Sequence, residues 1–326
     1  MAYRKIAQPH VVCLGGGIGT VNLIKGLKLF TQKITAVVSM ADDGGSSGRL
    51  RRKYNIFPPG DIVSCMAALS DDKTKFIEKL LTYRFPGDRY GSDNDLAGHK
   101  LGNLIMVAAR DITGSFDTAI EKIQQLFTIH GNIYPATNEA VSISATTIEG
   151  IEVHGEEAID LGKYDGKRVL DSIRLIPQHP RINSKVINAL KNADLIIAGP
   201  GDLYTTILPV LVIPEISDFL KKTPVKNFFI INLANKPFET TGYSVSDFVR
   251  AVEKHLGIFP FDSIIVNNNY TVPIPTAYHY DYVQYTPDDD TLLQGKYNIL
   301  QEDLVNEEFP LYHDPKKLAE LILKHI

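Results

Sequence analysis

The chain has 326 residues, 44% of them apolar and 22% charged, which supplies a sizeable core and leaves no long stretch polar enough to stay disordered. Its formal net charge of −4 argues against a nucleic-acid or anionic-membrane surface, while a local nucleotide site needs no overall charge. The two cysteines, Cys13 and Cys65, make neither a disulfide framework nor a zinc spacing, which points to a reducing cytosol.

In chain order, residues 1–10 carry Arg4, Lys5 and Pro9 but no apolar stretch of signal-peptide length. Apolar runs elsewhere are about five to seven residues, far short of a membrane span, so a soluble cytoplasmic protein without membrane insertion is expected. Residues 11–14 predict a buried strand, and Val21, Leu23, Ile24, Leu27 and Phe30 then recur at helical spacing. Residues 34–40 predict a second strand. From 60 to 130 the pattern is helical, with apolar faces at Ile62, Cys65, Met66 and Leu69, at Phe76, Ile77, Leu80 and Leu81, at Leu101, Leu104, Ile105 and Ala108, and at Phe116, Ile120, Ile123 and Phe127. Residues 141–176 are rich in Ile, Val and Thr around a Glu149-Gly150 turn and predict a small antiparallel unit. Buried-strand patterns return at 194–199, 228–232 and 263–266. A helical face at Leu208, Leu211, Val212, Ile216 and Phe219 follows the first of these. Another at Phe248, Val249, Val252 and Leu256 follows the second, with Ser244 or Ser246 as N-cap. Asp314-Pro315 opens a last helix carrying Leu318, Leu321 and Ile322. The expected fold is one Rossmann-like α/β domain over 1–326, a mainly parallel sheet with helices on both faces. An elaboration at about 60–190 is helical over 60–130 and antiparallel β over 132–178.

Between the first strand and its helix stands Gly15-Gly16-Gly17-Ile18-Gly19-Thr20. Glycines let the backbone turn tightly and approach a ligand, and the amides opening the helix suit phosphate. Thr20 breaks a strict G-x-G-x-x-G, and the missing Gly-Lys-Ser/Thr ending argues against a P-loop NTPase. Asp42-Asp43-Gly44-Gly45-Ser46-Ser47 follows the second strand, where an acid meets a ribose hydroxyl or paired carboxylates hold Mg²⁺ beside a diphosphate. Pro58-Pro59-Gly60-Asp61 opens a helix with Asp61 as N-cap, and Gly98-His99-Lys100-Leu101-Gly102-Asn103 opens another. Gly199-Pro200-Gly201-Asp202-Leu203-Tyr204-Thr205 repeats the glycine-rich strand-to-helix turn. Glu152, Glu156 and Glu157 read as a solvated hairpin face and residues 288–290 as a surface turn. Cys13 and Cys65 read as unreactive core thiols.

These clusters, in this order and with Glu239-Thr240-Thr241-Gly242-Tyr243, resemble the gluconeogenesis-factor family, which shares its fold with 2-phospho-lactate transferase, an enzyme of deazaflavin coenzyme synthesis. The resemblance runs from residue 10 to about 260. It implies a bacterial cytoplasmic protein of cell-shape maintenance and carbon-source adaptation that binds a nucleotide sugar such as UDP-N-acetylglucosamine as a sensor. A homo-oligomer and regulatory protein partners are compatible with the sequence, which fixes neither. The transferase branch implies Mg²⁺ on Asp42 or Asp43 beside a nucleoside diphosphate ester. Ile18 stands where threonine is usual, and Val63-Ser64 where Arg-Asn is common, leaving Lys236 or Arg49 to supply the positive charge. The nucleotide-binding set is completed by Asn232, Lys236 and Thr240. Three readings stay open: a nucleotide-sugar sensor, a Mg²⁺-dependent transferase with Asp42 or Asp43 at the metal, and an NAD-binding protein.

Overall fold

A computed structural model describes residues 8–71, 74–166 and 169–326; Arg4 and Lys5 lie outside the described residues. β1 (Val11–Gly15) leads into α1 (Gly17–Leu27), and β2 (Ile34–Val38) into α2 (Gly45–Tyr54). Next come α3 (Gly60–Leu69), α4 (Phe76–Thr82), α5 (Leu101–Thr113) and α6 (Phe116–Leu126), where the apolar faces placed helices. β3 (Asn132–Pro135), β4 (Ser142–Thr147), β5 (Glu152–His154), the short α7 (Glu156–Asp160) and β6 (Leu170–Ile176) follow. α8 (Ser184–Lys191) and β7 (Leu195–Ala198) precede a π-helical turn at Leu203–Ile207 that runs into α9 (Leu208–Leu211) and α10 (Pro214–Leu220). The remainder is β8 (Asn227–Ile230), β9 (Ala234–Asn235), α11 (Val245–Leu256), β10 (Ser263–Asn267), β11 (Asp281–Tyr282), α12 (Pro287–Leu293), β12 (Asn298–Glu302) and α13 (Pro315–Lys324).

Among the described residues one seven-stranded sheet has the order β12-β10-β8-β7-β1-β2-β3, every pairing parallel. This is the Rossmann-like α/β architecture, and β5-β4-β6 forms the antiparallel insertion in the middle of the chain. The five expected strands are the five central ones, buried along their whole length, which is why they lack polar alternation. The edges differ. β3 falls in the stretch read as antiparallel, yet it pairs parallel with β2, and β12 was not expected at all. Both edge strands mix exposed and buried positions, so neither shows a continuous apolar run.

Other departures are local. The face from Leu208 to Phe219 is broken before Pro214, which starts a new helix. Phe30 lies beyond α1 and is exposed. Asp289 is buried in the first turn of α12 and is no surface turn: its Oδ1 accepts from Ser244 Oγ (2.8 Å) and Ser246 N–H (2.7 Å), clamping α12 to the start of α11. Among the described residues no single helix is long and apolar enough to cross a membrane.

The sheet order positions the site. From β1 the chain builds outward through β2 and β3, then returns on the other side of β1 as β7. At such a reversal the loops leaving adjacent strands diverge to opposite faces and open a crevice at the strands' carboxyl ends. Leu14 pairs with Ala198 and Gly15 with Val38, so the turns after β1, β2 and β7 depart at one level.

Candidate functional site

The turn after β1 is shaped by what presses on it. A Cβ on Gly16 would stand 2.4 Å from Asp61 Oδ2, and one on Gly19 would stand 2.3 Å from the Pro200 carbonyl oxygen. Only glycine permits either approach. Gly16 N–H donates to Thr20 Oγ1 (2.9 Å) and Gly17 N–H to Asp61 Oδ2 (2.8 Å). Asp61 therefore satisfies the first amide of α1 from another helix. It is not the N-cap of its own helix, because α3 already begins at Gly60.

The segment after β2 forms a helix, α2, rather than an open loop. Asp42 accepts from Gly44 N–H (3.0 Å) and faces the crevice, whereas Asp43 accepts from Glu157 N–H (2.8 Å) at the start of α7. The adjacent carboxylates thus serve different elements. Ser47 Oγ accepts from Gly60 N–H (3.1 Å), tying α2 to α3. Ser46 Oγ lies 2.9 Å from His99 Nδ1 and accepts from Asn103 Nδ2 (3.0 Å). Asn103 Oδ1 is buried without a hydrogen-bond partner among the described residues. Burial, then the charges of Arg49 and Lys53, lower the pKa of His99, which stands behind Ser46.

In the turn after β7, Gly201 N–H donates to Asn232 Oδ1 (3.0 Å). Thr205 Oγ1 (2.8 Å) and Tyr204 N–H (3.2 Å) donate to the buried Glu239 carboxylate. Lys236 pairs with Asp160, with Asp202 at 2.5 Å and with Glu239 at 3.0 Å. Burial alone would lower the Lys236 pKa, but Asp202, Glu239 and Asp160 outweigh it and hold the ammonium charged. Those carboxylates lie close enough together to share a cation, and the ammonium is that cation. Thr240 Oγ1 accepts from Lys236 N–H (3.0 Å), and the Tyr204 hydroxyl meets that of Tyr243 (2.8 Å), so both are framework contacts.

The turns border two cavities of about 370 and 350 Å³. Gly17, Ile18, Arg89, Asp160, Asp202 and Thr206 line both, so the two make one cleft. Of the candidate residues, Gly17, Asp42, Ser46, Ser47, Gly60, Asp61, Asn103 and Thr205 line the first cavity. Gly16, Gly17, Gly19, Pro200, Gly201, Asn232 and Lys236 line the second. Gly15, Thr20, Asp43, His99, Gly199, Tyr204 and Thr240 stand outside both linings. Arg49 does not reach the cleft but binds carbonyls of the segment before α5.

Sequence reasoning missed Arg84, Arg89 and Tyr90, the α7 acids, and Tyr280, Tyr312 and His313. Glu156 and Glu157 line the first cavity instead of forming a solvated face. Two arginines just ahead of the 98–103 motif were a usable signal; the aromatic residues offered none.

The first cavity is acid-rich: Asp42, Asp61, Glu78, Glu156, Glu157, Asp160 and Asp202 outnumber Lys25, Arg84, Arg89 and Lys100. Burial, reinforced by Asp61, pushes the Asp42 carboxyl up to about 7, and burial raises Asp61 and Glu156 as well. Burial lowers Lys100, with Asp61 pulling it partly back. Buried oxygens that resist ionisation suit a proton or a divalent cation. In the second cavity, burial brings His313 down to about 4, leaving a neutral imidazole beside Tyr280 and Tyr312. Cys13 and Cys65 are buried in the core, where burial raises both thiols, Cys13 to about 12.

The family profile of 2-phospho-L-lactate transferase CofD matches residues 11–305. The gluconeogenesis factor of Bacillus subtilis is 37% identical over 320 residues, covering 97% of this chain and 98% of the relative. A gluconeogenesis-factor relative from Aquifex aeolicus is 37% identical over 322 residues, covering 97% and 96%. A crystal structure of a UPF0052-family protein from Bacillus halodurans superposes with a TM-score of 0.86 at 32% identity, covering 97% of this chain and 99% of that one. The chain therefore belongs to the gluconeogenesis-factor family, which is related in structure to CofD.

Proposed function

We propose that the cleft binds a nucleotide sugar of the UDP-N-acetylglucosamine type together with a divalent cation, and that the protein acts as a cytoplasmic regulator responding to that ligand. The observation that carries this reading is the convergence of three glycine-rich turns on one cleft at the β1/β7 reversal. A diphosphate entering among so many carboxylates is repelled unless a cation comes with it. Asp42 and Asp61 would hold Mg²⁺, being hard oxygen donors on one wall, while Asp43 stays engaged with the Glu157 amide of α7. The ion supplies charge neutralisation for the diphosphate. Asn103 Oδ1 and the hydroxyls of Ser46 and Thr206 offer hydrogen bonds to a sugar. Tyr280, Tyr312 and His313 offer a neutral aromatic wall to a base. Family membership supports a role in cell shape and growth on gluconeogenic carbon sources.

Calorimetric titration with UDP-N-acetylglucosamine, with and without Mg²⁺, tests the reading. Saturable heat that grows with Mg²⁺ is expected; no heat and no thermal shift at millimolar ligand overturns it.

One observation favours a second reading, a transferase acting on a nucleoside diphosphate ester. Asp42 and Asp61 would hold Mg²⁺ on a wall bordered by the glycine-rich turns, where the ion would polarise a diphosphate ester toward attack. Mg²⁺-dependent release of a nucleoside monophosphate, abolished by Asp42→Asn, would establish it. NAD shares the phosphate and ribose chemistry of the cleft, and competition between NAD and the nucleotide sugar decides that third reading.

A further inference from the structure

The segment between α4 and α5 has no helix or strand of its own over residues 85–97 apart from its closed base. There Phe85 N–H donates to the His99 carbonyl (3.0 Å) and Gly98 N–H to that of Phe85 (2.9 Å). The centre of the loop is filled by Arg49 of α2, only 1% exposed. Its Nη1 donates to the carbonyls of Ala97 (2.7 Å) and Asp88 (3.3 Å), and its Nη2 to those of Asp95 (2.6 Å) and Ser92. No carboxylate among the described residues pairs with it. Burying a guanidinium without a counter-ion is expensive, and four charge-assisted bonds to carbonyls offset it. What this arrangement achieves is geometric: four carbonyls from one irregular loop are drawn to one rigid planar group.

The residue after Asp88, which supplies one of those four carbonyls, is Arg89. It lines both cavities, and its Nε would lie 3.0 Å from a Cβ placed on Gly45, the first residue of α2. Other cations of the cleft are engaged: Lys25 with Glu78, Lys100 with Ser64, Arg84 with the Gly98 carbonyl, and Lys236 with its carboxylates. Among the described residues Arg89 only stacks on Tyr90, 4.6 Å from the ring centroid. It donates no hydrogen bond to any described residue. Its fork of N–H donors is therefore available at the junction of the two cavities.

We infer that Arg89 grips the diphosphate of the bound nucleotide ester at this junction, and that Arg49 is a positioning residue that sets Arg89 there by organising the 85–97 loop. The inference rests on the nucleotide reading above and deepens it. Arg89 binds the phosphates in bidentate fashion, leaving base and sugar to opposite cavities.

The test compares wild type, Arg89→Ala, Arg89→Lys, Arg49→Lys and the Arg89→Ala/Arg49→Lys double variant. UDP-N-acetylglucosamine and inorganic pyrophosphate are titrated in the presence of Mg²⁺, and uridine serves as the phosphate-free probe. Arg89→Ala is expected to weaken both phosphorylated probes by about 10- to 100-fold, with uridine affinity and melting temperature unchanged. Arg89→Lys recovers part of the loss, because a point charge lacks the fork. Arg49→Lys is expected to keep cooperative unfolding, speed tryptic cleavage after Arg89, and weaken the phosphorylated probes. In the double variant the two losses do not add. Wild-type affinity in Arg89→Ala, or additive losses, overturns the inference while leaving the nucleotide reading intact. Failure of wild type to bind either phosphorylated probe overturns both. If Arg49→Lys does not fold, the two Arg89 variants decide the phosphate contact, and Arg49→Gln, which keeps two N–H donors for the loop carbonyls, takes its place in the tryptic and titration comparison of the positioning role.

Discussion

Asp42 is the residue at which the site and the stability of the protein meet. Burial, with Asp61 beside it, pushes its carboxyl from an ordinary 3.8 up to about 7. Between those values the folded state keeps a proton that the unfolded chain has released, so its stabilising contribution is complete below 3.8 and lost as pH rises through about 7. Burial of His99 and His313 in their neutral form works in the opposite sense below 6.5. Only the difference between wild type and a variant isolates the carboxyl. In metal-free buffer Asp42→Asn should melt higher than wild type, by a small margin at pH 5, where the loss has begun, and by a larger one at pH 8, where it is complete. The gap should be a few degrees, with about 2–4 °C for each kcal/mol. Mg²⁺ at pH 8 should then raise the wild-type melting temperature and leave the variant unmoved. Thermal scans at the two pH values check this, and a variant that melts below wild type at pH 8 contradicts it.

At the level of elements, Asp289 shows how a polar run becomes structural. Beyond its bonds to Ser244 and Ser246, its Oδ2 accepts from Thr286 N–H (2.7 Å) and Thr286 Oγ1 (2.9 Å). Burial alone would raise its pKa, but the bonds from Thr286, Ser246 and Ser244 win and hold it below 3.8. Its contribution is therefore present above 3.8 and disappears as pH falls through the depressed folded value. Asp289→Ala should lower stability at pH 7 by about 3 kcal/mol, since it strips several charge-assisted bonds from two buried helix starts. The deficit should shrink in acid, and urea unfolding at pH 7 and below pH 3.8 measures both. In sequence the three aspartates looked like a surface turn, because charge alone does not reveal which helix end a carboxylate will meet. The central strands were legible for the opposite reason: burial on both faces leaves an uninterrupted apolar run. The one-sided edges β3 and β12 carry no such mark, and neither does α7, whose acids gain their role only when Asp43 draws them to the cleft.

For the whole molecule, the legible part of the site is the part made by strand ends, since glycine-rich turns must follow buried strands. The wall that came from elsewhere depends on the tail folding back across the sheet. Residues 306–326 contribute Leu311, Tyr312 and His313 to the second cavity, and α13 packs on α1 so tightly that a Cβ on Gly26 would lie 1.9 Å from the Pro315 carbonyl oxygen. Leu318, Leu321 and Ile322 are buried there, each contributing about 1.5–3 kcal/mol. Their sum of roughly 5–9 kcal/mol is comparable with the entire net stability of an ordinary domain, about 5–15 kcal/mol. The family profile ends at residue 305, yet a chain cut there should lose its cooperative urea transition, because the first helix of the sheet would present its packing face to water. Nucleotide binding should vanish with it, through loss of both the fold and the aromatic wall. A truncated chain that unfolds with the full-length midpoint would show that α13 only decorates a core already complete. If such a chain still bound the nucleotide sugar, the second cavity would not be where the base resides.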